Sequence, residues 1–306
     1  MTPRLKHRLE YGAFRAALGA LNTLPPAVAR SVGAGVASFG FRPLRIRADH
    51  VRRNLERAFP EQTQEWRDRI AAESYAHLGR EMIAMMQLSR MSHDEVIART
   101  EVVDYERVSR MMRESEGGTV VVGGHFGNWE IGTATMAARG YPVNLVAQRQ
   151  ANPLFDAYLV DARRRLGINV IERRQAPRLG LRALRRGEIL VFGADQNAGR
   201  NGIFVPFFGH LASTHRGPAL LALRTRALFF LAVPLRVEDG RWRLELEQID
   251  YDPDGDVDDV VYRITANFTA RLEAAIRRTP GQYLWHHRRW KTRPPASQEP
   301  PSGSQV

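Results

Sequence analysis

The chain reads as an α/β protein whose central, mostly parallel sheet is flanked by helices, with a helical region ahead of it. Short β-branched runs recur at residues 119–122, 143–147, 169–171 and 189–193. Helical stretches at 152–166 and 178–186 separate them. Strands alternating with helices imply crossover connections and hence a parallel sheet. Upstream, residues 61–90 carry apolar side chains at Trp66, Ile70, Tyr75, Leu78, Met82, Met85 and Met86, near the spacing of a helix.

Taken in order, residues 11–22 and 26–39 read as two short apolar helices parted at Pro25 and Pro26. The apolar stretch from Ala16 is too short to span a bilayer, and lengthening it would bury Arg30. The two helices are expected to pack on the core or to lie in a membrane interface. Residues 1–10 are polar and lead into no clean apolar run, so no signal peptide is expected. The methionine stripe within 61–90 reads as core. Residues 229–238 and 241–248 read as a hairpin around Asp239-Gly240, and 257–278 as a final helix. The expected organisation is a helical N-terminal region over 1–110, an α/β core over 111–293, and a disordered tail over 294–306, rich in Pro, Ser and Gln.

Composition narrows the chemistry. The chain has no cysteine, which removes disulfides, thiolate metal sites and a cysteine nucleophile. Of its 45 basic residues only Lys6 and Lys291 are lysine, so a P-loop or Schiff-base lysine inside the fold is excluded. The formal net charge is +12. Arginine binds phosphates and carboxylates bidentately, so this balance suits an anionic partner, although a GC-rich genome would also produce it. No G-x-S-x-G and no H-E-x-x-H motif occurs.

Four segments hold the polar chemistry. In Gly123-Gly-His-Phe-Gly-Asn-Trp-Glu130 an apolar run stops at two glycines, and His125 and Glu130 follow at the strand end. His125 reads as a general base with Glu130 orienting it, or as a cap on the turn. The run Asp195-Gln-Asn-Ala-Gly-Arg200 ends another strand and reads as a second wall of the site or as a capped turn. Arg149, with Asn152, follows the strand 143–147 and opens on the same sheet edge as His125, while the run Arg163 to Arg165 lies on a helix. In the segment 282–293, aromatic and basic residues interleave around His286 and His287. That segment suits nucleic acid, an anionic membrane surface or plain solvent exposure. An Asp-rich stretch from Asp250 lacks the glutamate a calcium loop needs at its twelfth position, Val261, and reads as an acidic cap on the last helix.

Together these segments, with Pro206-Phe-Phe-Gly209, resemble the lysophospholipid acyltransferase superfamily, and within it the lipid A late acyltransferases (lauroyl and myristoyl transferases). They run in the family's order from about residue 5 to 294. The sequence departs at Asn197, where the family often has Asp, and at Gln148-Arg149-Gln150, where it often has Tyr-Arg-Pro. The family's single N-terminal membrane helix is weak here. A sister branch that acylates phosphatidylinositol mannosides carries similar motifs.

The resemblance implies a glycerolipid-acyltransferase-like sheet and an O-acyltransferase. Such an enzyme moves a fatty acyl chain from acyl-ACP or acyl-CoA to a hydroxyl of a lipid A precursor. It implies His125 and Glu130 as catalytic residues, and Asn128, Arg149, Asn152, Arg163, Asp195, Gln196 and Arg200 as substrate-binding ones. No cofactor beyond the thioester co-substrate and no metal is expected. Expected partners are an anionic glycolipid acceptor, the acyl carrier or CoA thioester and the cytoplasmic face of a bacterial inner membrane, with no nucleic acid. The direct attack of a hydroxyl needs no enzyme nucleophile, and backbone amides of 123–127 or Arg149 would stabilise the oxyanion. From a different class, the charge alone would also suit a non-enzymatic binder of anionic lipid or nucleic acid.

Overall fold

The computed structural model describes residues 3–294, so the expected tail lies, but for Pro294, outside the described residues. Five helices come first: α1 (Pro3–Leu21), α2 (Pro26–Phe41), α3 (Ala48–Ala58), α4 (Gln64–Leu88) and α5 (His93–Arg99). The core then runs β1 (Thr100–Val102), α6 (Tyr105–Glu114), β2 (Thr119–Gly123), α7 (Trp129–Ala138), β3 (Val143–Ala147), α8 (Pro153–Arg165), β4 (Ile168–Glu172), α9 (Ala176–Leu184) and β5 (Ile189–Gly193). It closes with β6 (Ile203–Phe207), β7 (His210–Thr214), α10 (Gly217–Thr225), β8 (Leu228–Glu238), β9 (Arg241–Gln248) and α11 (Val257–Arg278).

Seven strands form one sheet in the order β1-β9-β8-β2-β5-β3-β4. All neighbours are parallel except the β8–β9 hairpin. Alternate residues of β2 therefore feed two different cores. Val120 and Val122 face a layer that includes Leu190, Leu231, Phe268 and Leu272. Val121 faces a second layer with Ile131, Met136, Val143 and Ile189. Asp256 caps α11 by accepting from the Asp258 and Asp259 amides, so the acidic stretch is the cap the sequence suggests.

The N-terminal helices are fastened to this sheet. Helix α2 approaches α4 so closely that a Cβ at Gly79 would lie 2.1 Å from the Gly33 carbonyl oxygen, a contact only glycine permits. Arg30, buried on α2, donates to both carboxylate oxygens of Asp239 at 3.0 and 2.7 Å and to Gln87 of α4 at 3.1 Å. One face of α2 thus packs inward. Its other face leaves Val28, Val32, Val36 and Phe39 exposed. Among the described residues, no helix is long and apolar enough to cross a membrane.

Two expectations need revision. The methionines of α4 are only partly buried, and the helix instead buries Ile70, Tyr75, Ile83 and Leu88 together with the polar His77 and Glu81. Polar groups held by hydrogen bonds can occupy core positions, and the apolar period does not register them. Strand β1 lies in the stretch read as wholly helical and adds an edge strand beside β9. Val205-Pro-Phe-Phe-Gly209 is half of the β6–β7 hairpin, with Phe208 and Gly209 at its turn. Pro206, which cannot donate to a ladder, masks the strand pattern there.

Candidate active site

Strands β2 and β5 are parallel neighbours, with Gly123 opposite Gly193. His125 and Asp195 each lie two residues past that pair, so the register itself brings them together at the C-terminal edge of the sheet, where open α/β sheets bind ligands. Asp195 Oδ1 accepts from His125 Nδ1 at 2.8 Å, and Oδ2 accepts from the His125 backbone amide at 2.8 Å. Both carboxylate oxygens are therefore spent on one residue. With Nδ1 carrying the proton, Nε2 is left as the basic nitrogen. The Gln196 amide nitrogen lies 3.3 Å from it.

Asp195 is only 4% exposed. Burial would raise its pKa, but the charge and two hydrogen bonds of His125 outweigh burial, and it stays below the usual 3.8. For His125 burial is the largest influence and lowers the pKa. The charge and hydrogen bond of Asp195, with a weaker contribution from Glu130, overcome it, so the ring titrates above 6.5.

Glu130 occupies the first turn of α7 and is bound bidentately by Arg163 of α8, at 3.1 Å from Nε and 2.5 Å from Nη2. The orienting role expected of Glu130 thus belongs geometrically to Asp195, while Glu130 acts on the imidazole only through its field. Spacing in sequence favours Glu130, but register favours Asp195. The Trp129 ring leans on His125, with centroids 4.9 Å apart.

A cavity of about 720 Å³ opens beside this group. Its polar end holds His125, Glu130, Arg149, Arg163 and Gln196, and its apolar wall is formed by Val121, Met136, Leu145, Ile189, Val191 and Leu246. Ile189 and Gly193, at the two ends of β5, both line it, so it runs the length of that strand, about 13 Å. An extended hydrocarbon fits such a wall.

The segment after α11 sits unlike any of the three readings its composition allowed. Tyr283 bridges Phe126, the Leu284 amide donates to the His125 carbonyl at 2.9 Å, and the Gly127 amide donates to the Gln282 carbonyl at 3.0 Å. Trp285 is 1% exposed and Arg289 3%. Arg289 is held by the Ser213 carbonyl and the Thr214 hydroxyl, both at 2.6 Å. The segment is a strap that fixes the His125 loop against β6–β7. Gly127 completes that loop: its φ is +55°, and a Cβ there would lie 1.8 Å from the Pro234 carbonyl oxygen.

The remaining residues named from sequence separate. Arg149 and Gln196 line the cavity. Asn128 does not: at 1% exposure it caps α7, accepting from the Ile131 amide at 2.9 Å and donating to buried Glu81 at 2.8 Å. Asn152 caps α8 and donates to the His7 carbonyl at 3.0 Å, tying α1 to α8. A cap residue spends its side chain on the backbone, which removes both from the ligand. Arg200 is exposed in a short helical turn and is absent from the cavity wall. Two of the backbone amides expected to hold an oxyanion are committed, His125 to Asp195 and Gly127 to Gln282. Glu81, which sequence reading missed, accepts from both Asn128 and Trp242. Its only signal was an acid among apolar helix positions.

The family model for bacterial lipid A biosynthesis acyltransferases matches residues 3–292. The chain is 30% identical to the lipid A biosynthesis lauroyltransferase of Escherichia coli (strain K12), over 89% of this chain and 88% of that protein. It is 28% identical to the palmitoleoyltransferase of lipid A biosynthesis from the same strain, over 89% and 87%. It is also 24% identical to a phosphatidylinositol mannoside acyltransferase of Mycolicibacterium smegmatis (strain ATCC 700084 / mc(2)155), over 82% and 83%.

Proposed function

The chain belongs to the bacterial lipid A biosynthesis acyltransferase family, and from that premise we propose that it moves a fatty acyl chain from acyl-ACP or acyl-CoA to a hydroxyl of a lipid A precursor. The observation that carries the mechanism is the His125–Asp195 pair at the mouth of an apolar cavity. The acyl chain lies along the cavity wall, with its thioester carbonyl beside His125. His125 Nε2 takes the proton of the acceptor hydroxyl as that oxygen bonds to the carbonyl carbon. The tetrahedral intermediate then breaks its carbon–sulfur bond, and the departing thiolate takes the proton back from the imidazolium. The products are the acyl ester and the free carrier thiol, with no acyl-enzyme and no cofactor.

Asp195 holds the ring and stabilises its protonated form. Glu130 adds negative potential and keeps Arg163 at the cavity mouth. With the His125 and Gly127 amides engaged, Arg149 and Gln196 are side-chain donors available to the oxyanion. The exposed face of α2, with Arg42 and Arg45 following it in the chain, supports a seat for the enzyme in the interface of an anionic membrane, on the cytoplasmic side.

The test is transfer by purified protein, read by mass spectrometry of the lipid. Wild type adds one acyl chain to a lipid A precursor, His125→Ala, folded by circular dichroism, adds none, and Glu130→Ala, which removes a field on the ring and the hold on Arg163, transfers at a reduced rate. Near-normal turnover in His125→Ala refutes the mechanism. A wild type that acylates only an inositol glycolipid selects the second reading, which the mannoside acyltransferase likeness favours.

A further inference from the structure

Gln196 lines a second, smaller cavity of about 300 Å³, whose other walls are Arg47, Leu78, Leu284, His286 and His287. Apart from Gln196, the mechanism above uses none of these walls. His286 is only 8% exposed, yet neither of its ring nitrogens has a hydrogen-bond partner. Its ring packs edge-on against Tyr75, with centroids 4.1 Å apart, which fixes the imidazole without satisfying it. Burial lowers its pKa to about 4, so at neutral pH it offers one N–H.

Two of the other walls, His287 and Arg47, are donors too. His287 Nε2 accepts from the Asn197 amide at 3.0 Å, which leaves the proton on Nδ1. Arg47 spends one N–H on the His286 carbonyl at 3.3 Å, and its remaining donors stay available. The nearest carboxylates are taken, Asp49 by Arg45 and Asp195 by His125. Arg288, next to His287 in the chain, donates to His50 Nε2 at 2.9 Å and adds positive charge beside the cavity's histidines. Buried donors are ordinarily partnered, and a recess where cations and N–H groups converge without an acid suits a tetrahedral anion.

We propose that this cavity is a subsite for a phosphate group carried by one of the two substrates, seated across Gln196 from the reacting thioester. Phosphate binding itself stands apart from the acyl-transfer reading; only the choice of substrate that delivers it rests on that reading. The two sources are a sugar phosphate of the acceptor glycolipid and the phosphopantetheine phosphodiester of the donor.

Inorganic phosphate is the first probe. It should raise the wild-type melting temperature in a saturable way, because it binds the folded state alone. Arg47→Gln and His286→Phe should lose that rise. In phosphate-free buffer His286→Phe should melt no lower than wild type, since it removes unpartnered polar atoms and keeps the packing on Tyr75. A His286 with a merely structural role would instead show a lower melting point. Steady-state kinetics then name the source. A KM for the acceptor raised tenfold or more in Arg47→Gln assigns the sugar phosphate, and the same rise for the donor assigns the phosphodiester. Equal phosphate stabilisation of wild type and both variants, with neither KM changed, overturns the subsite. If wild type transfers no acyl chain at all, the functional reading fails and the phosphate melting series still decides this one.

Discussion

His125 keeps its proton on Nδ1 because Asp195 accepts there, and the same carboxylate locks the residue's own amide. The titration of the pair has a defined sign. Asp195, lowered below 3.8, stabilises the fold fully above that value and ceases to as the pH falls through its depressed pKa. His125, raised above 6.5, stabilises fully below 6.5 and ceases to as the pH rises through its elevated pKa. The pair therefore contributes most between those two values. Asn128 is the residue whose loss reaches furthest. Replacing it with Ala removes the cap of α7 and leaves Glu81 with one donor fewer in a buried site. Asn128→Ala should cost about 2–4 kcal/mol, read from the urea midpoint at unchanged slope. An unchanged midpoint would show that neither bond matters to the fold.

Elements whose pattern is local were legible in the sequence. The runs at β2, β3 and β5 and the span of α11 follow from β-branched clusters and helical spacing, and the structure places them at those positions. What escaped depends on distant partners. Strand β1 is three residues long and exists because β9 lies beside it. The strap from Gln282 reads as basic and aromatic, yet its role comes from a β-bridge to Phe126, far away in sequence. The site divides in the same way. His125 was visible as a strand-end histidine after glycines, whereas its carboxylate partner is defined by the β2–β5 register. The helix caps Asn128 and Asn152 carry the same residue type as a ligand contact, and only the geometry separates the two roles.

At the scale of the whole molecule, the His125–Asp195 pair and the cavity mouth sit at the C-terminal edge of the sheet, and the N-terminal helices offer an apolar surface. Val28, Val32, Val36 and Phe39 project from α2, with Leu44 and Ile46 just beyond it. A water-soluble fold rarely leaves such a patch uncovered, and arginines around it suit anionic headgroups. Val36→Glu should weaken sedimentation with anionic phospholipid vesicles severalfold at an unchanged melting temperature, because Val36 is 69% exposed. Undiminished sedimentation would remove α2 from the membrane contact.

The proposed reaction turns on an imidazole held by Asp195, whose second nitrogen would accept the proton of a lipid hydroxyl. The pH dependence of kcat/KM in wild type and Asp195→Asn tests this most directly, because its acid limb reports the pKa of the free enzyme's base. Wild type should lose activity as the pH falls through a His125 pKa above 6.5. In Asp195→Asn burial prevails over the lost charge, so the limb should move to lower pH while the plateau falls by about 10²–10⁴-fold. An acid limb that stays in place, with the plateau intact, would contradict the account.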